Sequence, residues 1–263
     1  MNRKILVALS GLAIAAPSHA LVGIAVSAGL NSTSISGADQ TITGTNLPAF
    51  FAGSNDTLIA HRGKMSGLTQ LGVKAWLELP IIPIEFEASS SVGWGNYTSS
   101  LIYSHGGTRD TIPVDVKSPI AGLGGKNGST PYISVLNDLT LRYPILQLPP
   151  LSPIQPLKIW IGAGATYAVA SRVVDRSDLQ SVFSSGSYDV SNPQASEQAA
   201  TNSFKDNILT NTWGAHLAVG AQFKIPVIPI ALFIDGKWYL HTATSSAASK
   251  YPFAVNAGAG FSI

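Results

Sequence analysis

Eight times along the chain, apolar and polar residues alternate with a period of two, the spacing of a strand with one face in an apolar medium rather than of a helix. In "LVGIAVSAGLN", Val22, Ile24, Val26, Ala28 and Leu30 share a face, with Gly23, Ser27 and Gly29 between them. "GLTQLGVKAWLEL" sets Leu71, Val73, Ala75, Leu77 and Leu79 against Gln70, Gly72, Lys74, Trp76 and Glu78. Ile84, Phe86, Ala88, Val92 and Trp94 then oppose Glu85, Glu87, Ser89 and Gly93, and Ile133, Val135, Leu139, Leu141 and Tyr143 oppose Ser134, Asp138, Thr140 and Arg142. The alternation returns over 158–167, 213–224, 230–240 and 253–263.

Each stretch meets the roughly 9 to 11 residues that a tilted strand needs to cross hydrocarbon. Only 11% of the residues are charged, where about 25% is ordinary for a soluble domain. Yet after residue 20 no run approaches the roughly 18 consecutive apolar residues of a membrane helix. Soluble sandwiches and lipocalin-like barrels also alternate. Here the mid-strand charges keep to one face while the other is almost uniformly apolar, which suits lipid outside and a polar lumen inside. Backbone groups in lipid must all be paired, so the sheet has to close. The expected fold is all-β: a transmembrane up-and-down antiparallel β-barrel of eight strands, or ten if loop segments join the wall.

Residues 1–20 have Arg3 and Lys4, an apolar stretch from Ile5 to Ala16, and small residues at Ser18 and Ala20, the pattern of a cleaved signal peptide. The barrel domain is then 21–263. Loss of Arg3 and Lys4 lowers the basic count from 16 to 14, equal to the 14 acidic residues. A neutral chain argues against a nucleic-acid partner. With no cysteine, no disulfide framework or thiolate site exists.

Prolines punctuate the pattern. Proline removes an amide donor and stops a ladder, and the proline-rich links 80–83, 147–156 and 226–229 alternate with long polar ones at about 32–66, 98–130, 171–210 and 242–252. Membrane barrels have short periplasmic turns and long outer loops, so the proline links are expected to be periplasmic. On the apolar parity, Phe86, Tyr143, Phe223 and Phe261 fall near the proline turns, while Trp94, Tyr167, Trp213, Trp238 and Phe253 fall toward the long loops: two interfacial girdles. Trp76 and Trp160 face inward as lumen packing.

Lys74, Arg142, Lys158, Lys224 and Lys237 share the inward parity with Glu78, Glu85, Glu87, Asp138 and Asp235. An eight-stranded interior holds side chains or one small ligand, and an unpaired charge there is costly. The expectation is an interlocked ion-pair network and a plugged barrel, with inward glycines (72, 93, 162, 164, 214, 220, 258 and 260) leaving room for large neighbours or water. In the loops, the apolar "NLPAFFAG" (46–53) could enter the barrel mouth. Asn192 and Pro193 could start a helix carrying Ala200, Phe204 and Ile208 on one face.

The chain resembles the small eight-stranded outer-membrane barrels of Gram-negative bacteria, the group that includes outer membrane proteins A, X and W. The resemblance covers 21–263 and rests on pattern: leader, strand number, loop asymmetry and the final strand "FAVNAGAGFSI". It implies location in the cell outer membrane, contact with its lipid, and assembly by the barrel-assembly machinery, which reads the last strand. That signal would be Phe261 and Ile263, although the group usually closes on an aromatic residue.

Three functions follow: a structural or surface-interaction barrel acting through its loops, a narrow conduit for small solutes, apolar ones included, or a lipid-modifying enzyme. The third has only His241 with Thr242, Thr244 and Ser245, no carboxylate near in sequence and an inward parity for His241, so no catalytic residue is assigned. His216 reads as a lumen hydrogen-bonding residue. His61 and His105 read as isolated loop residues without metal-ligand spacing, and no cofactor-binding glycine loop is present.

Overall fold

The computed structural model describes residues 22–42, 57–79, 83–105, 108–113, 129–148, 156–173, 209–225 and 228–262. The leader, the 46–53 segment, the 192–208 segment and Ile263 lie outside the described residues, as do parts of each proline link.

Eight strands form the wall: β1 (Val22–Ile35), β4 (Met65–Glu78), β5 (Glu85–His105), β7 (Ser129–Leu148), β8 (Leu157–Ser171), β9 (Leu209–Lys224), β10 (Ile230–Leu240) and β11 (Phe253–Ser262). Every neighbouring pair is antiparallel, in the order β1-β4-β5-β7-β8-β9-β10-β11. The pairing of β1 with β11, from Gly23 with Ser262 to Asn31 with Ala254, closes the ring. No edge remains in the wall, so its backbone groups are satisfied without water.

Three short strands lie beyond this ring: β2 (Ala38–Ile42), β3 (Thr57–Arg62) and β6 (Thr108–Pro113). β5 accounts for them. Its lower part pairs β4 and β7, whereas Ser99 to Ser104 pair β3 and Ser100 to His105 pair β6. The long polar links therefore begin later than the sequence suggests: much of 32–66 is strand, and 98–105, 108–113 and 129–130 belong to the sheet. Polar β-branched and serine-rich residues continue the ladder past the membrane pattern, where alternation no longer marks it. Of the eight- and ten-strand alternatives, eight describes the wall.

Two prolines sit inside β7. Pro131 lies beyond the last β7–β8 pair, Ser134 with Ala170, where its missing amide costs the second ladder nothing. Pro144 coincides with a register shift before Leu146, a bulge near the strand end. At the β9–β10 link, Ile225 N donates to Ile230 O at 2.9 Å.

Candidate functional site

The lumen is built by one parity of every wall strand. Glu78 closes β4 and Lys224 closes β9, both at the short-link end. Glu78 Oε1 accepts from Trp76 Nε1 at 3.2 Å and Lys224 Nζ at 3.0 Å, and lies 2.9 Å from Lys158 Nζ. Lys158 also reaches Glu85 at 2.5 Å, and Arg142 joins Glu85 at 2.5 Å to Glu87 at 2.7 Å. Glu87 lies 3.2 Å from Lys237 through Oε1, an ion pair outside hydrogen-bond geometry, and 3.7 Å from Lys74. Lys74 donates to Asp235 at 2.6 Å and Lys237 to Asp138 at 2.8 Å. Five cations and five carboxylates thus form one connected chain, nearly all of it buried.

Cations also lie on rings: Lys74 Nζ is 3.3 Å from the Phe233 centroid, and the Arg142 guanidinium is 4.5 Å from that of Trp160. Glycines make the space. A Cβ on Gly23 would overlap the Trp76 indole, and one on Gly220 would overlap Trp160. Large neighbours, then, occupy these two gaps.

Toward the other end, Asp138 accepts from Thr166 at 2.8 Å and from the Tyr239 hydroxyl at 3.1 Å. His216 is buried, with Thr140 and Thr166 hydroxyls each 2.8 Å from one ring nitrogen. Gln70 donates to Asn256, which donates to Asp235 at 3.1 Å. Above this polar layer Ile35, Met65, Leu68, Tyr97, Tyr132 and Ala247 belong to one buried, mostly apolar cluster, with Thr130, Ser171 and Thr242 buried at the same end. Ala247 comes from the β10–β11 link, which folds over the top of β1. Ser36 N donates to Ala247 O at 3.0 Å and Ser249 N to Ser34 O at 2.9 Å.

The opposite parity carries the wall's outer surface, an aliphatic belt broken by two rings of aromatic residues. Phe86, Tyr143, Phe223 and Phe261 project outward near the short links. Trp213, Trp238 and Phe253 project outward at the far end, with Trp94 and Tyr167 half-buried beside them. Trp213 is 71% exposed, Leu30 68% and Leu139 67%. No helix among the described residues is long and apolar enough to cross a membrane. A closed sheet with ion pairs inside and aliphatic side chains outside is stable only with hydrocarbon around it.

The chain forms a closed, eight-stranded membrane-spanning β-barrel. No protein-family model and no curated protein matches its sequence. Among solved structures it is similar to Neisserial surface protein A (NspA), at 10% identity and TM-score 0.43, covering 91% of this chain and 97% of that one. It is also similar to Ail, the attachment invasion locus protein of Yersinia pestis, solved with a heparin analogue, at 9% identity and TM-score 0.42, covering 92% and 99%. The outer membrane protein OprG from Pseudomonas aeruginosa aligns at 10% identity and TM-score 0.35, covering 94% and 98%.

Beyond the network, the barrel separates residues that the sequence groups together. β10 ends at Leu240, and His241 takes a left-handed φ of 58°. That breaks the parity assumed for it: His241 is exposed, with its ring centroid 6.0 Å from that of Tyr251, while Thr242 is buried. Ser245 Oγ accepts from Ala247 N at 3.1 Å within the folded link. His61 is a strand residue of β3 rather than a loop residue, and its Nδ1 lies 2.5 Å from Asp39. His105 ends β5. Among the described residues no group of side chains could hold a metal ion.

Two residues escaped the alternation: Ser90 and Asn137 sit at outward positions where the apolar pattern skips. They face each other across β5 and β7, and Ser90 Oγ donates to Asn137 Oδ1 at 2.9 Å. The gaps in two paired strands were the available signal.

Proposed function

We propose that this barrel is a sealed, structural outer-membrane protein whose rigid wall presents its outer-end strands and loops to envelope components or external partners. The observation that supports this reading is the continuous ion-pair chain from Lys224 to Asp138, lying beneath an apolar cluster. A permeating ion or solute would have to part at least one buried pair and then cross a tightly buried cluster that is mostly apolar, Tyr97 and Tyr132 carrying its hydroxyls. Each separated pair leaves an unmatched charge in a medium that solvates it poorly. The strands β2, β3 and β6 extend the sheet past the wall, giving the outer end a fixed platform.

On this reading residues 1–20 act as a cleaved leader, the terminal strand is read by the barrel-assembly machinery, and the protein performs no chemistry on a substrate. The test is single-channel conductance in a planar bilayer, using protein whose folding is verified by heat-modifiable gel mobility. Silence is expected. Stable unitary steps would overturn the sealed lumen and make the narrow conduit the function.

A further inference from the structure

Between Phe86 and Trp94 the outward positions of β5 carry one polar side chain, Ser90, and its register partner on β7 is the outward Asn137. Ser90 stands midway between Phe86 and Trp94 along β5, so the pair lies near mid-height of the hydrocarbon belt. Within the wall, the Asn137 amide accepts from Ser90 at 2.9 Å and reaches Tyr167 O with one N–H at a long 3.5 Å. A primary amide offers two N–H donors and two lone pairs. That leaves one donor and one lone pair beyond these two bonds, in a belt where lipid supplies a partner to neither.

The surface around the pair is uneven. Leu139 stands out at 67% exposure, and its register neighbours on either side are Ala88 and Ala165. One ridge thus lies between two shallow floors, directly beside an amide that is both donor and acceptor. Such a patch is its own complement under a twofold rotation, the requirement for an isologous interface. In lipid, close packing over small residues and interchain hydrogen bonds are the forces that associate spans.

We propose that this face docks a second copy of the chain, with the two Asn137 amides hydrogen-bonded across a twofold axis and each Leu139 seated on an alanine floor of the other copy. Headgroups do not reach this depth, and acyl chains match the ridge but not the amide. The contact is independent of whether the lumen conducts.

The chain has no cysteine, so single-cysteine variants report proximity cleanly. The full chain refolded in vesicles is oxidised as Leu139→Cys, on the proposed face, or as Ala257→Cys, on β11 across the barrel. Expected is a disulfide-linked dimer from L139C and at least tenfold less from A257C. In L139C, adding Asn137→Leu should lower the dimer yield severalfold, with heat-modifiable mobility showing that the barrel still folds. Equal yields from the two cysteine positions would overturn the proposal. So would energy transfer between labelled copies no greater than random collisions at every protein-to-lipid ratio. If N137L fails to fold, the comparison of L139C with A257C still decides.

Discussion

Lys237 of β10 donates to Asp138 of β7 at 2.8 Å, although two wall strands, β8 and β9, stand between theirs. The bond is a strut across the lumen rather than a ladder contact along the wall. It also ties the charge network to the hydroxyl layer beyond it, because Lys237 faces Glu87 and Asp138 takes the hydroxyls of Thr166 and Tyr239.

Removing one end of that strut should cost more than removing both. Lys237→Met leaves Asp138 and Glu87 short of a cation in a buried site, a loss of about 3–5 kcal/mol. Adding Asp138→Asn should recover part of it, since the neutral amide can still bond Thr166. Urea unfolding in lipid vesicles measures both; a double variant as unstable as the sum of the singles would deny the coupling.

The indole of Trp160 needs the missing side chain of Gly220, where a Cβ would overlap the ring. Gly220→Val should therefore destabilise by about 1–3 kcal/mol through overpacking. Trp160→Leu in the same molecule should relieve most of that penalty while losing the guanidinium–ring contact to Arg142. The check is the unfolding midpoint of the two single variants and the double.

How far the sequence exposes this molecule depends on which force acts at each place. The wall was legible because lipid on one side and charge on the other impose a strict period of two from Val22 to Leu30 and from Leu71 to Leu77. The inward identity of all ten network residues follows from parity alone. Their partners do not, because Lys74 finds Asp235 and Lys237 finds Asp138 across the lumen, at separations of 161 and 99 residues. Outside the membrane the constraint fades: Ser99 to Ser104 extend β5 without alternation to show it, and β2, β3 and β6 leave no periodic trace. His241 was misread for a different reason, since one left-handed residue resets the parity of everything after it.

The proposed sealed lumen rests on two layers in series, the ion-pair network and the buried cluster that the β10–β11 link completes by pairing with β1. Replacing residues 243–250 with a glycine–serine turn should remove Ala247 from the cluster and lower thermal stability, yet leave the barrel electrically silent. Neutralising Arg142 and Glu87 together should do the same with the link intact. Combining the changes should produce conductance, read in planar bilayers; conductance from either change alone would show that the remaining seal does not close the barrel.

His241 sits at φ 58°, where a side chain with a Cβ is strained and glycine is not. His241→Gly should be neutral or stabilising by about 1 kcal/mol, despite losing the ring contact with Tyr251, because left-handed strain of about 1–2 kcal/mol is released. His241→Val should be destabilising, since a β-branched residue tolerates that conformation worst. The order Gly, His, Val in thermal midpoint is the expected outcome. If instead Gly falls well below His, the imidazole contributes contacts that outweigh its backbone strain, and the folded β10–β11 link is held by that side chain rather than by its pairing with Ser34 and Ser36.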